Sequence, residues 1–361
     1  MIPSRPLPLL IVLAVIPAIH LLVLVPQLWQ TADKPRDFAA YVMAAERVRE
    51  DQPLYEETPP GPHVPGEGAP YLYPPFLAAI SALIPFAGVA LSRFVLLTGV
   101  LCFWVYAFCL DRVAAGRSTV YGVFLWGALL TAGVAPLGAL WVGQVDSLIW
   151  ALFGMSLAFP LGRGFYLTAA ALTKPFAVWP LGLALWRETR VASAGTLIAI
   201  MLAGVLAAAA MGPAELFQAS RQWLIDIYPA LSQGQFAFRM AEVTDSQTWN
   251  RLLGFLGTGN ISLGFLPLQL AHAAGWEFPG VDLPVWARMY LTMVSLAAPL
   301  IALWLTRRRA PVLRYAALMS AAVLFAPICR TTYLPILYSL AAAWLADRRN
   351  RGEGTAERCP G

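Results

Sequence analysis

Residues 91–110 read LSRFVLLTGVLCFWVYAFCL, an apolar run in which Arg93 is the single charge. A helix rising 1.5 Å per residue needs about 20 such residues to cross about 30 Å of hydrocarbon, so this stretch predicts a transmembrane helix. Comparable runs recur from Leu7 to Leu345. Over the whole chain 59% of residues are hydrophobic and only 12% charged, against about 25% charged in soluble domains. The expected class is therefore an all-α polytopic membrane protein folded as one bundle over residues 1–346, followed by a basic tail at 347–361.

The net charge of +5 does not point to nucleic acid, because the arginines stand in short clusters between apolar runs and form no basic face with interleaved aromatics. They read as topology signals, since Lys and Arg accumulate in cytoplasmic loops. Placing Arg112, Arg117, Arg163, Arg187, Arg190, Arg307 to Arg309, Arg348, Arg349 and Arg351 inside gives about ten spans with both termini cytoplasmic. These fall near 7–29, 91–110, 118–136, 146–160, 164–173, 175–187, 194–212, 286–306, 311–328 and 333–346. The first run lacks a small-residue cleavage site and is expected to be retained. Segment 164–173 is too short for a straight crossing and is expected to be broken or buried in protein.

Two long segments, 30–75 and 213–285, then fall outside, and loops of that length are usually functional. The first opens with an amphipathic helix in which Phe38, Tyr41, Val42, Ala45 and Val48 oppose Glu46, Arg47 and Glu50, a pattern suited to lying on the membrane surface. The prolines between Pro53 and Pro75 then forbid regular helix. Residues 76–87 read as a short helix dipping into the outer face. No fixed-period repeat, CxxC or HExxH pattern is present, and Cys102 and Cys109 sit inside an apolar run as packing residues.

Within these segments each polar motif carries two readings. Asp37 fits a helix N-cap, or a general base able to take the proton of an attacking hydroxyl at the water–lipid boundary, with Asp33 close enough to compete. In Tyr71-Leu72-Tyr73-Pro74-Pro75-Phe76 the tyrosines fit interfacial anchors or sugar-stacking rings. Gly143-Gln144-Val145-Asp146 offers an amide and a carboxylate at a helix start, where Asp146 either caps the helix or serves a functional interior. Lys174, between Thr173 and Pro175, is a snorkelling cation or a clamp for a phosphate leaving group. Arg251, in Ser246-Gln247-Thr248-Trp249-Asn250-Arg251, and Arg330, in Arg330-Thr331-Thr332-Tyr333, fit phosphate ligands or partners of Glu242, Asp245 and lipid headgroups.

In sequence order Arg36-Asp37-Phe38-x-x-Tyr41, Tyr73-Pro74-Pro75, Gly143-Gln144-Val145-Asp146, Thr173-Lys174-Pro175 and Ser246 to Leu252 resemble glycosyltransferase family 87, over roughly residues 30–335. The resemblance implies a GT-C-like bundle in the cytoplasmic membrane that takes a polyprenyl-phosphate sugar such as polyprenyl-phosphate mannose. The sugar would pass to a lipid or glycan acceptor on the extracytoplasmic face, with neither nucleotide sugar nor obligatory metal. It makes Asp37 the base, and it makes Lys174, Arg251, Arg330, Gln144, Asp146, Tyr73 and Tyr41 donor-binding residues. Two departures stand out: the family often carries histidine where this chain has Arg330-Thr331-Thr332-Tyr333, and a proline- and glycine-rich insert separates Tyr55 from Tyr71. A transporter or flippase for a lipid-linked saccharide is the rival from another class, because intramembrane Asp and Lys also mark transport pathways. A protein that only binds the lipid phosphate is a third.

Overall fold

Proline and glycine set where the helices begin and end. A computed structural model describes residues 37–55, 71–132, 145–229, 262–273, 284–326, 329 and 333–356, with parts of 11–30. The described regular elements are all helical. After α1 (Val25–Gln30) and α2 (Asp37–Arg49), α3 (Pro75–Ala82) starts on a proline, as do the 3-10 turns at Pro160–Gly162 and Pro175–Ala177, α10 (Pro213–Gln222), which precedes α11 (Leu266–Ala273), and α13 (Pro311–Leu324). Proline suits that position because its missing N–H would have no intrahelical partner there. Glycine ends α4 (Gly88–Ala115): Gly116 takes φ 79° and its N–H returns to the Arg112 carbonyl at 2.9 Å.

Three described helices are long and apolar enough to cross a membrane: α4, α9 (Thr189–Met211) and α12 (Val285–Leu305). Their outer faces carry the surface of a lipid-facing protein. Leu197, Ile198, Met201 and Val205 on α9, and Met289, Met293, Leu300 and Trp304 on α12, are exposed in rows that a water-soluble monomer does not present. The chain is an α-helical membrane-associated protein.

The expected ten spans are not found among the described residues, where three helices meet the length and composition of a span. The physical reason is that the apolar runs are cut short. α5 (Val120–Ala132) reaches the edge of the described residues, whereas α6 (Asp146–Ala158) and α13 have 13 and 14 residues. At 1.5 Å per residue each of the latter two covers about 20 Å, less than the hydrocarbon thickness. Segments 164–173 and 175–187 become α7 (Arg163–Thr173) and α8 (Val178–Arg187), joined through the 3-10 turn at Pro175. Arg163 at the start of α7 pairs with Glu188 just after α8, so the two short helices form a hairpin with Lys174-Pro175 at its far turn. As expected, 164–173 is a helix buried in protein.

Five of the basic residues assigned to one side meet at one end of the bundle. Arg112 Nε donates to the Ala158 carbonyl at 3.3 Å and Arg349 Nη1 to that of Ala114 at 3.0 Å. Arg163 stacks on the Tyr315 ring at 4.4 Å, and Asp347 gathers Arg309, Arg351 and the Ala310 N–H. From that end α6 and α7 run back to Asp146 and Lys174. Between the ends lies the main core, in which Tyr106, Trp150, Phe153, Leu167 and Met319 are buried. Tyr106 ties α4 to α14 (Ile336–Ala356) through 2.7 Å contacts to Ser339 Oγ and the Pro335 carbonyl. Gly154 permits this: a Cβ there would stand 2.8 Å from the Tyr106 ring.

The amphipathic helix expected after the first span is α2, and its apolar positions Tyr41, Val42, Ala45 and Val48 are buried. Protein covers them. Val42 and Ala45 pack on Leu91 of α4, while Tyr41 and Val48 join a tyrosine cluster. Its polar residues hold the neighbouring turn. Glu46 Oε1 accepts the Gly88 N–H at 3.2 Å, at the start of α4, and Arg49 donates to the Ala82, Ile84 and Phe86 carbonyls after α3 at 3.0, 2.5 and 2.6 Å. Both helix ends gain the partners that their own backbones lack.

Candidate functional site

Lys174 stands where α7 must stop, because the ring of Pro175 pushes the preceding residue out of helical geometry; its φ and ψ are −143° and 129°. Its side chain turns into the protein and is 4% exposed. There the ammonium forms an ion pair with Asp146 Oδ1 and donates to the Tyr333 hydroxyl at 2.9 Å. It also lies 4.2 Å from the centre of the Tyr333 ring and 5.2 Å from that of Tyr73, within cation–π range. Lys174 is thus no snorkelling lysine.

Asp146 is 1% exposed and begins α6. The capping position is Val145, with no side-chain cap, so Asp146 contributes through its charge near the positive end of the helix and through its bond to Lys174. Its second oxygen, Oδ2, is buried without a hydrogen-bond partner. An ammonium has three donors, and two are spent on Asp146 and Tyr333. One Lys174 donor and one Asp146 oxygen are left over among the described residues.

Around this pair the outer loop builds a wall of tyrosines. Tyr41 of α2 meets Tyr73 at 5.1 Å and Tyr71 at 6.4 Å between ring centres, and Tyr71 also meets Tyr73 and Tyr55. Tyr55 donates to the Tyr73 carbonyl and Tyr71 to that of Pro74, each at 2.7 Å. Burial pushes the Tyr55 and Tyr71 hydroxyls well above the ordinary tyrosine value. Tyr41 and Tyr71 are buried in protein, not ring-in-lipid anchors. The second outer segment closes the wall: Trp223, in the π-helical turn after α10, donates its indole N–H to the Leu72 carbonyl at 3.1 Å.

Four of the residues expected at the site, Tyr41, Tyr73, Asp146 and Lys174, are therefore brought together. Asp37 is the first residue of α2, one turn before Tyr41 in the chain, and its side chain lies outside the described residues. Asp33, Gln144, Arg251 and Arg330 also lie outside them. Sequence reasoning passed over three neighbours. Tyr333, quoted only as part of its loop, is the second ligand of Lys174. Tyr55 braces Tyr73. Cys329 lies beside the ion pair, its thiol pushed up to about 12 by burial, with Asp146 adding and Lys174 opposing. Tyr333 had a visible signal, a polar aromatic next to Arg330 in an otherwise apolar stretch; Cys329 had none.

Among the described residues no cluster of three or more His, Cys, Asp or Glu forms a metal site. No family model, curated protein or solved structure matches the chain.

Proposed function

We propose that the chain is a membrane glycosyltransferase that takes a polyprenyl-phosphate sugar as donor and passes the sugar to a hydroxyl of a lipid or glycan acceptor on the extracytoplasmic side. One observation carries the reading. Lys174 is a buried cation with a donor to spare among the described residues, lined by aromatic rings, at the end of α7 opposite the arginines. With the arginine end cytoplasmic, as basic residues usually are, the site lies toward the outside.

In this mechanism Asp37 takes the proton of the acceptor hydroxyl as its oxygen attacks the anomeric carbon. The bond from that carbon to the phosphate oxygen breaks, and polyprenyl phosphate leaves with the electron pair. The leaving phosphate gains charge, and a preorganised ammonium with an unspent donor stabilises it by several kcal/mol. The oxygen of Asp146 without a partner accepts a sugar hydroxyl, and Tyr73 offers its ring to the sugar face. The roles of Asp37, Arg251, Arg330 and Gln144 rest on the sequence reading, because these side chains lie outside the described residues.

The test uses the full chain in nanodiscs with radiolabelled polyprenyl-phosphate mannose, or nucleotide mannose, and a membrane-lipid extract. Label should reach lipid or glycan acceptors from the lipid-linked donor. Incorporation from the nucleotide sugar alone would remove the donor assignment. Movement of intact lipid between leaflets without sugar transfer would favour the flippase.

A further inference from the structure

At the arginine end a cavity of about 220 Å³ opens between the C-termini of α4 and α6, the first turn of α13 and the middle of α14. Arg112, Gly116, Ala158, Val312, Arg349 and Asn350 line it. Both guanidiniums are fixed. Arg112 stacks on Phe159 at 4.8 Å and gives one N–H to the Ala158 carbonyl; Arg349 gives one to Ala114. Gly116 leaves room for the second, since a Cβ there would come within 2.9 Å of Arg349 Nη1.

A guanidinium carries five donors, so most of those on Arg112 and Arg349 remain unspent. Among the described residues no carboxylate lines the cavity. The adjacent ones are engaged elsewhere: Asp111 accepts from the Thr119 N–H, and Asp347 holds Arg309, Arg351 and the Ala310 N–H. Two helix C-termini point toward the space, each equivalent to about half a negative charge. They offset roughly one of the two positive charges and leave the other without a counter-charge among the described residues.

We infer that this cavity is a phosphate-binding site, in which Arg112 and Arg349 grip the oxygens of a phosphate-bearing anion and the Asn350 amide completes the set. Fixed, planar guanidiniums suit tetrahedral oxyanions better than mobile ammonium groups do. The shared chemistry is the phosphate, carried either by an anionic lipid headgroup at this end of the bundle or by a soluble phosphate. This site is separate from the one around Lys174, with α6 and α7 between them.

The test titrates the purified full chain in detergent with dioleoylphosphatidate and dioleoylphosphatidylcholine by native mass spectrometry, and with inorganic phosphate by calorimetry at constant ionic strength. Asn350 is exposed and its side chain makes no hydrogen bond among the described residues, so Asn350→Glu puts a carboxylate into the cavity without disturbing either arginine's anchor. Saturable binding of phosphatidate or of phosphate is expected, weakened at least tenfold by Asn350→Glu and little by Asn350→Gln. Arg349→Gln should weaken it similarly. Retention of phosphatidate alone identifies a lipid headgroup, and binding of inorganic phosphate a soluble ligand. Equal binding of phosphatidylcholine, no binding of any phosphate, or unchanged binding by a folded Asn350→Glu protein would overturn the site.

Discussion

Lys174 and Asp146, 28 residues apart in the chain, form an ion pair in which both side chains are almost wholly buried. Such a pair costs desolvation on both sides, so its removal as a unit and the loss of one partner have opposite consequences. Asp146→Ala should leave a buried ammonium and destabilise the protein by about 3–5 kcal/mol. Lys174→Met combined with Asp146→Leu should recover most of that loss. Thermal unfolding in detergent measures both; a double variant no more stable than Asp146→Ala would show that the pair does not act as a unit.

Gly154 of α6 packs against the Tyr106 ring and Cys109 of α4 in the core. Gly154→Val should force that ring from its bond to Ser339 and cost about 1–3 kcal/mol, as overpacking does in other cores. Gly182, whose Cβ would meet nothing within 4 Å, is the control, and Gly182→Ala should be tolerated. The midpoints of thermal unfolding compare the two.

The tyrosine wall sets an alkaline limit. Burial raises the Tyr55 hydroxyl above its unfolded value near 10, so the folded protein keeps a proton that the unfolded chain gives up. Stability from this group is whole below about pH 10 and is lost progressively as pH rises beyond it. Tyr55→Phe removes the titrating group along with its bond to the Tyr73 carbonyl. The variant should be less stable than the parent at pH 8 by about 1 kcal/mol, with the gap closing toward pH 11. A gap that widens with pH would contradict the sign.

Helix positions were legible because apolar runs bounded by proline and glycine carry their limits in the chain: the run at 194–212 is α9, and that at 286–306 is α12. Which of them cross was not legible, because the turn at Lys174-Pro175 folds two apolar stretches into a hairpin with no change in composition. Periodicity likewise identified the buried face of α2 but not what covers it, since lipid and protein leave the same apolar pattern. The site was half legible. Ionisable residues in apolar surroundings flagged Asp146 and Lys174, but their pairing, and the 159-residue reach from Lys174 to Tyr333, are properties of the packing.

The two ends of α6 and α7 make a topology prediction. With the buried cysteines Cys102, Cys109 and Cys329 silent and Cys359 replaced, a cysteine at Arg117 should react with a membrane-impermeant maleimide only after the membrane is opened. A cysteine at Phe217, exposed on α10 at the opposite end, should react in intact cells. Reversed labelling would put the Lys174 site on the cytoplasmic side and dismantle the proposed use of an extracytoplasmic donor.

The catalytic reading separates from the structural one through two variants that should fold. Asp37→Asn keeps size and most helix-capping ability while removing the base, so transfer from polyprenyl-phosphate mannose should fall about a hundredfold or more with unfolding unchanged. The Lys174→Met, Asp146→Leu pair should fold as well as the parent but lose the cation that meets the leaving phosphate. If that cation acts mainly as the bond breaks, single-turnover rates should drop more than donor affinity does. Loss of affinity at an unchanged chemical rate would make Lys174 a donor-binding residue only. Full activity in the double variant would remove it from the mechanism, while a loss confined to Asp37→Asn would leave the base assignment standing.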